Sequence, residues 1–136
     1  MEKTFNTILA QAEAIFKEKR SKFLAFAFPV ENEAEIKEKI TLLKKKYHDA
    51  RHHCYAYILG ADKSSYRMND DGEPSGTAGC PIHGQLLSKD VTNVLVVVVR
   101  YFGGIKLGTG GLRVAYKMAA KEVLENAQII VKTTSF

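Results

Sequence analysis

Residues 94–99 read Val-Leu-Val-Val-Val-Val, six aliphatic side chains in succession, five of them β-branched. Such a run favours a buried β-strand, because β-branched side chains lose rotamer freedom in a helix and pack well on a pleated surface. The strand is predicted over "NVLVVVVR". Directly after it, "RYFGGIKLGTGGLR", residues 100–113, contains five glycines and ends the regular pattern. Apolar residues return at helical spacing at Leu112, Tyr116, Ala119, Ala120 and Val123, predicting an amphipathic helix that ends near Asn126. "QIIVKTT" then supplies a last strand. Strand, helix and strand make a βαβ unit, for which a right-handed crossover is the default.

Upstream, "KFLAFAFPV" alternates Leu24, Phe26, Phe28 and Val30 with Phe23, Ala25 and Ala27, a strand with one bulky and one small face, both covered. In "NEAEIKEKITLLKKKY" the period changes to that of a helix through Ile36, Ile40, Leu43 and Tyr47, with Asn32 and Glu35 spaced as a capping box. Lys44 to Lys46 fall in its last turn, where cations favour the helix dipole. "HHCYAYILG" reads as a strand, "NDDGEPSGTAG" as a turn-rich loop, and Thr77 to Asp90 as a short helix with Pro81 in its first turn. No repeat, low-complexity tract or linker divides the 136 residues, and 46% hydrophobic with 26% charged content is that of one globular domain. The element order predicts an α+β fold, a two-layer sheet with helices on one face. The first twenty residues lack the apolar core of a secretory signal, and no stretch reaches the roughly 18 apolar residues of a membrane span. With two cysteines and no export signal, the expected location is the cytoplasm.

The net charge of +5 is spread among interspersed acids and excludes little by itself. Position says more. Gly108, Gly110 and Gly111 stand where a strand-to-helix loop meets a helix N-terminus, a geometry whose backbone N–H groups favour anions. Neither GxxxxGK[ST] nor GxGxxG is satisfied, which argues against a standard nucleotide fold. Gly103 and Gly104 are expected in a tight turn with positive φ, and at least one of Tyr101 and Phe102 in the core. Arg100, Lys106, Arg113, Lys117 and Lys121 are five cations uninterrupted by an acid, and the last three, spaced by four, form one helical ridge. His52, His53, Cys54, Cys80 and His83 are ligand types for zinc but lack its paired spacing. Asp70, Asp71 and Glu73 are either Mg²⁺ ligands or solvating residues of a loop. No catalytic constellation stands out.

The segments "KRSKFLAFAFPV", "HHCYAYILG", "DDGEPSGTAGCPI" and "NVLVVVVRYFGGIKLGTGGLRVAY" resemble, in this order and over nearly the whole chain, the N-terminal domain of the Impact/YigZ family. The resemblance implies a single Impact N-terminal-type domain over residues 1–136. It implies the fold of the superfamily that includes domain IV of elongation factor G and the GHMP kinases, with a left-handed βαβ crossover replacing the default. It also implies a place in translation, since eukaryotic members restrain the starvation kinase of translation initiation by competing for its ribosome-associated activator. Bacterial members usually continue into a smaller C-terminal ferredoxin-like domain and eukaryotic ones carry a further N-terminal domain; neither is present in this chain. His83 also stands where the family tends to place an aliphatic residue after "GTAGCPI".

The expected function is a noncatalytic binding domain of translation regulation that contacts RNA, the ribosome or a ribosome-associated translation factor. Its surface is Arg100, Lys106, Gly108, Gly110, Gly111, Arg113, Lys117 and Lys121, extended by Arg20 and Lys22 in the turn before the first long strand. No cofactor, metal or membrane is expected. The alternatives are a phosphate- or nucleotide-binding enzyme using the Gly108–Gly111 loop, with Asp70, Asp71 or Glu73 supporting a metal, and a protein-only interaction module.

Overall fold

The computed structural model describes residues 2–135. In chain order the elements are β1 (Glu2–Ile8), β2 (Ala12–Glu18), β3 (Ser21–Pro29), α1 (Glu33–Lys46), β4 (His52–Leu59), β5 (Ser65–Asn69), α2 (Gly79–Ser88), β6 (Val94–Tyr101), α3 (Gly108–Asn126) and β7 (Ile129–Ser135). Five strands form one sheet in the order β2-β3-β6-β4-β5, each neighbouring pair antiparallel. The aliphatic strand β6 is at its centre. Because β3 and β4 both run against β6, they are parallel to each other; β5 and β6 are likewise parallel about β4.

β6 divides its side chains between two interiors. Val94, Val96 and Val98 join Phe23, Ala25, Ala27, Cys54 and Ala56 under α2 and α3. Leu95, Val97 and Val99 join Phe26, Phe28 and Tyr57 under α1, through Ile36 and Leu43. The helices therefore lie on both faces of the sheet, not on one as the element order suggested. The reason is in β6: leaving either face bare would expose three aliphatic side chains, each worth about 1.5–3 kcal/mol when buried.

The expected βαβ unit also fails. β7 pairs antiparallel with β1 in a separate two-stranded sheet, because both edges of β6 are already occupied by β3 and β4. A crossover hand has no meaning for β6–α3–β7. β1 and β2, which the sequence did not delimit, come from the N-terminal segment. β2 and β3 are joined by the two-residue turn Lys19-Arg20, with φ of 45° and 66°, the backbone sense that matches hairpin twist.

Local signals held better. Asn32 Oδ1 accepts from the Glu35 N–H at 2.9 Å, capping α1, although Glu35 reaches back to the Glu31 N–H rather than that of Asn32. α2 is the short helix foreseen, with Pro81 in its first turn. Among the described residues no helix is long and apolar enough to cross a membrane.

Candidate functional site

The loop between β5 and α2 folds around one carboxylate. Asp70 accepts from the backbone N–H groups of Gly76 at 3.0 Å, Ala78 at 3.1 Å and Gly79 at 2.9 Å. Burial works against its charge, but the three donors outweigh burial and hold its carboxyl below the ordinary value. Asp71 accepts from the His53 N–H at 2.6 Å. With its neighbours so tied, Glu73 is turned inward and is 8% exposed.

Inside, the Arg100 Nη1 donates to both Glu73 oxygens, at 3.0 and 2.9 Å, and Nη2 lies 3.4 Å from Ser21 Oγ. The guanidinium sits between the Phe23 and Phe102 rings, 5.7 and 5.5 Å from their centroids. Its Nε is buried without a partner. The Tyr116 hydroxyl donates to Glu73 Oε2; burial, then the neighbouring Cys54 and Glu73, push its pKa far up, so it remains a donor. Burial likewise pushes the Cys54 thiol up, and its Sγ lies 3.1 Å from the Asp70 carbonyl. His52 bridges the interior and the surface, with Nδ1 donating to the Asp71 carbonyl at 2.8 Å and Nε2 3.5 Å from Glu73 Oε1.

Above this network is a cleft of about 360 Å³. Glu73 and Arg100 lie at its floor, Pro74, Phe102, Leu107 and Leu112 give it apolar walls, and Arg51, His52 and Lys106 contribute nitrogen groups. Gly108 and Thr109 bring the start of α3 to it. α2 and α3 differ here. Neither N-cap residue makes a side-chain cap, but α2 has the Asp70 carboxylate across its N-terminus, whereas among the described residues no side chain accepts a hydrogen bond from the first turn of α3.

The predicted site residues are therefore redistributed. Arg100 is 6% exposed and neutralised by Glu73, so it is not a free contact for phosphate. A guanidinium continuing an aliphatic strand inward keeps its charge, so its burial requires a carboxylate beside it. Lys106 and Gly108 line the cleft; Gly110 and Gly111 follow in the first turn of α3. Arg113 and Lys117 are exposed on α3 and Lys121 is half-buried, a ridge outside the cleft proper. Arg20 is exposed at the hairpin tip, but Lys22 belongs to β3 and shares a face with Leu24 and Phe26, on the α1 side.

Gly104 has the expected positive φ, 88°, and Gly103 does not. A Cβ on Gly103 would collide with the Arg20 carbonyl group, so this glycine admits the hairpin tip. Tyr101 is half-buried, with its hydroxyl donating to Asp49 at 2.7 Å, and Phe102 is the exposed member of the pair. The zinc-type side chains are dispersed: Cys80 is exposed and His83 packs against Tyr66, 5.1 Å between centroids. Among the described residues no three His, Cys, Asp or Glu converge to hold a metal. Arg51 and the pairing role of Glu73 were missed from the sequence. One signal was available, a lone Arg at the end of a buried strand, which demands a counter-charge.

The model of the Impact N-terminal domain matches residues 19–124, and the chain belongs to this family. It is 41% identical over 111 residues to the IMPACT family member YvyE of Bacillus subtilis (strain 168), across 82% of this chain and 51% of that protein. The chain thus spans about half the length of this curated relative. A crystal structure of a hypothetical protein superposes with a TM-score of 0.92 at 35% identity, over 96% of this chain and 65% of the other. The two-domain translational regulator Yih1 gives 0.50 at 27% identity, over 90% and 47%.

Proposed function

We propose that this chain is a noncatalytic binding domain of translation regulation, contacting RNA, the ribosome or a translation factor through the α3 cleft and the ridge that leads from it. The observation that carries the reading is the contrast between two glycine-bearing helix starts. That of α2 is filled by the protein's own Asp70. That of α3 has no side-chain cap and lies beside Lys106. Kinship with a protein described as a translational regulator supplies the setting.

The test is binding of a short single-stranded RNA across a salt series. Each lost phosphate contact flattens the log–log salt slope by about 0.7 for a single strand, so Arg113→Glu with Lys117→Glu should flatten it by about 1.4. Salt-independent binding, or binding untouched by the double substitution, overturns the reading.

A second reading, a phosphate- or nucleotide-binding enzyme, is favoured by the cleft itself, which brings His52 and Glu73 to the start of α3. Calorimetric titration with ATP or GTP and Mg²⁺ decides it; no heat at millimolar nucleotide removes it.

Kinship with domain IV of elongation factor G and the GHMP kinases, through a left-handed crossover, belongs to the same proposal. Its support is topological. α1 joins β3 to β4 over one face, and α2 joins β5 to β6 over the other, with the strands reversed and the direction along the sheet reversed. Turned onto one another in the plane of the sheet, the two connections differ only in the side their helix takes. They are of opposite hand, and one of them is left-handed.

A further inference from the structure

On the face opposite α3, α1 leaves the β4–β5 edge partly open. A groove of about 380 Å³ runs between them. Its floor holds Tyr55 and Tyr57, whose rings are within 8° of parallel with centroids 6.5 Å apart. Tyr55 is half-buried and Tyr57 buried. Lys37, Ile40 and Lys44 of α1 form one wall, and Arg67, paired with Tyr57 across the β4–β5 ladder, forms the other. Lys37 and Lys44, seven residues apart, stand about 10 Å apart along the helix axis. Among the described residues, Lys37, Lys44 and Arg67 make no ion pair. The single carboxylate of the lining, Glu33, is engaged by the Tyr57 hydroxyl at 3.4 Å.

We propose that this groove binds a single nucleic-acid strand. The half-buried Tyr55 ring, backed by Tyr57 on a sheet floor between unpaired cations, meets the two parts of such a ligand: a base stacks on Tyr55 irrespective of sequence, and phosphates meet the ammonium and guanidinium groups. A duplex would present its phosphates without a free base for the floor. An acidic peptide would satisfy the cations but leave the Tyr55 face without a planar partner. The site is separate from the α3 cleft and stands whether or not the reading of that cleft does.

The test uses a fluorescently labelled 12-nucleotide oligouridine RNA with the full chain. Lys37→Glu with Lys44→Glu, both on exposed positions of α1, should weaken binding at least tenfold at low salt and flatten the salt slope by about 1.4. Tyr55→Leu, which keeps an apolar floor, should weaken binding about tenfold while leaving that slope in place. Ultraviolet crosslinks from uridine should map to Tyr55. In an Arg113→Glu, Lys117→Glu background, binding at the groove should persist. Unchanged affinity in both groove variants overturns the proposal, and so do crosslinks confined to α3. If the α3 substitutions alone abolish all binding, the groove is excluded and the α3 reading stands.

Discussion

Arg100 and Glu73 sit 27 positions apart in the sequence and meet where neither has much access to water. A buried pair contributes little net stability compared with a well-packed apolar replacement, yet removal of one partner leaves an uncompensated charge. Glu73→Gln should therefore lower unfolding free energy by about 3–5 kcal/mol, and Glu73→Gln with Arg100→Met should recover most of it. Urea denaturation of the four-member cycle measures this; a loss under about 1 kcal/mol in the single variant would mean that water reaches the guanidinium. At this scale the sequence was half legible. An Arg closing six aliphatic residues signals a buried charge, but a loop of three carboxylates, Asp70, Asp71 and Glu73, does not reveal which one turns inward. That depends on backbone N–H groups capturing Asp70 first.

Elements were readable where their signals were local, and misplaced where they were not. The Asn32 cap, Pro81 in the first turn of α2 and the helical period of α3 all act within a few residues. The partner of β7 does not: its apolar pattern specifies a strand, whereas its sheet depends on β3 and β4 having closed both edges of β6. Glycine has the same double character. At Gly84 in α2 and Gly110 in α3 a Cβ would meet nothing within 4 Å. Gly84→Ala and Gly110→Ala should each raise stability by about 0.5–1 kcal/mol, read from thermal or urea unfolding. Only Gly110→Ala should also weaken RNA binding, because it adds a methyl group beside the open start of α3. Gly103→Ala should destabilise outright, since the Arg20 carbonyl occupies the space its side chain needs.

For the whole molecule, the number of layers was misread although both faces of β3 were expected to be covered, because the order of elements along the chain does not say which side of the sheet each helix takes. Ala25 and Ala27, on the same face as Phe23, belong to the interior that α3 covers. Protection should follow the layering. β6 is hydrogen-bonded along both edges and its residues from Val94 to Val99 are fully buried, whereas β7 has one strand partner and an outward Val131 that is 68% exposed. In native-state hydrogen exchange, β6 amides should exchange only through global unfolding. Amides of Ile130 and Lys132 should exchange at least about a hundredfold faster, through local opening. Equal protection in the two strands would make the β1–β7 pair part of the central cooperative unit.

The alternation of β6 makes it a party wall between two rooms. Shortening Val98 leaves a void beside the room that holds Tyr116 and the floor of the cleft, while shortening Val97 empties space under α1 and Phe26. Adjacent residues on one strand thus answer to different tenants. Evolution or an engineer can refit the surface on one side of the sheet without disturbing the furnishings of the other.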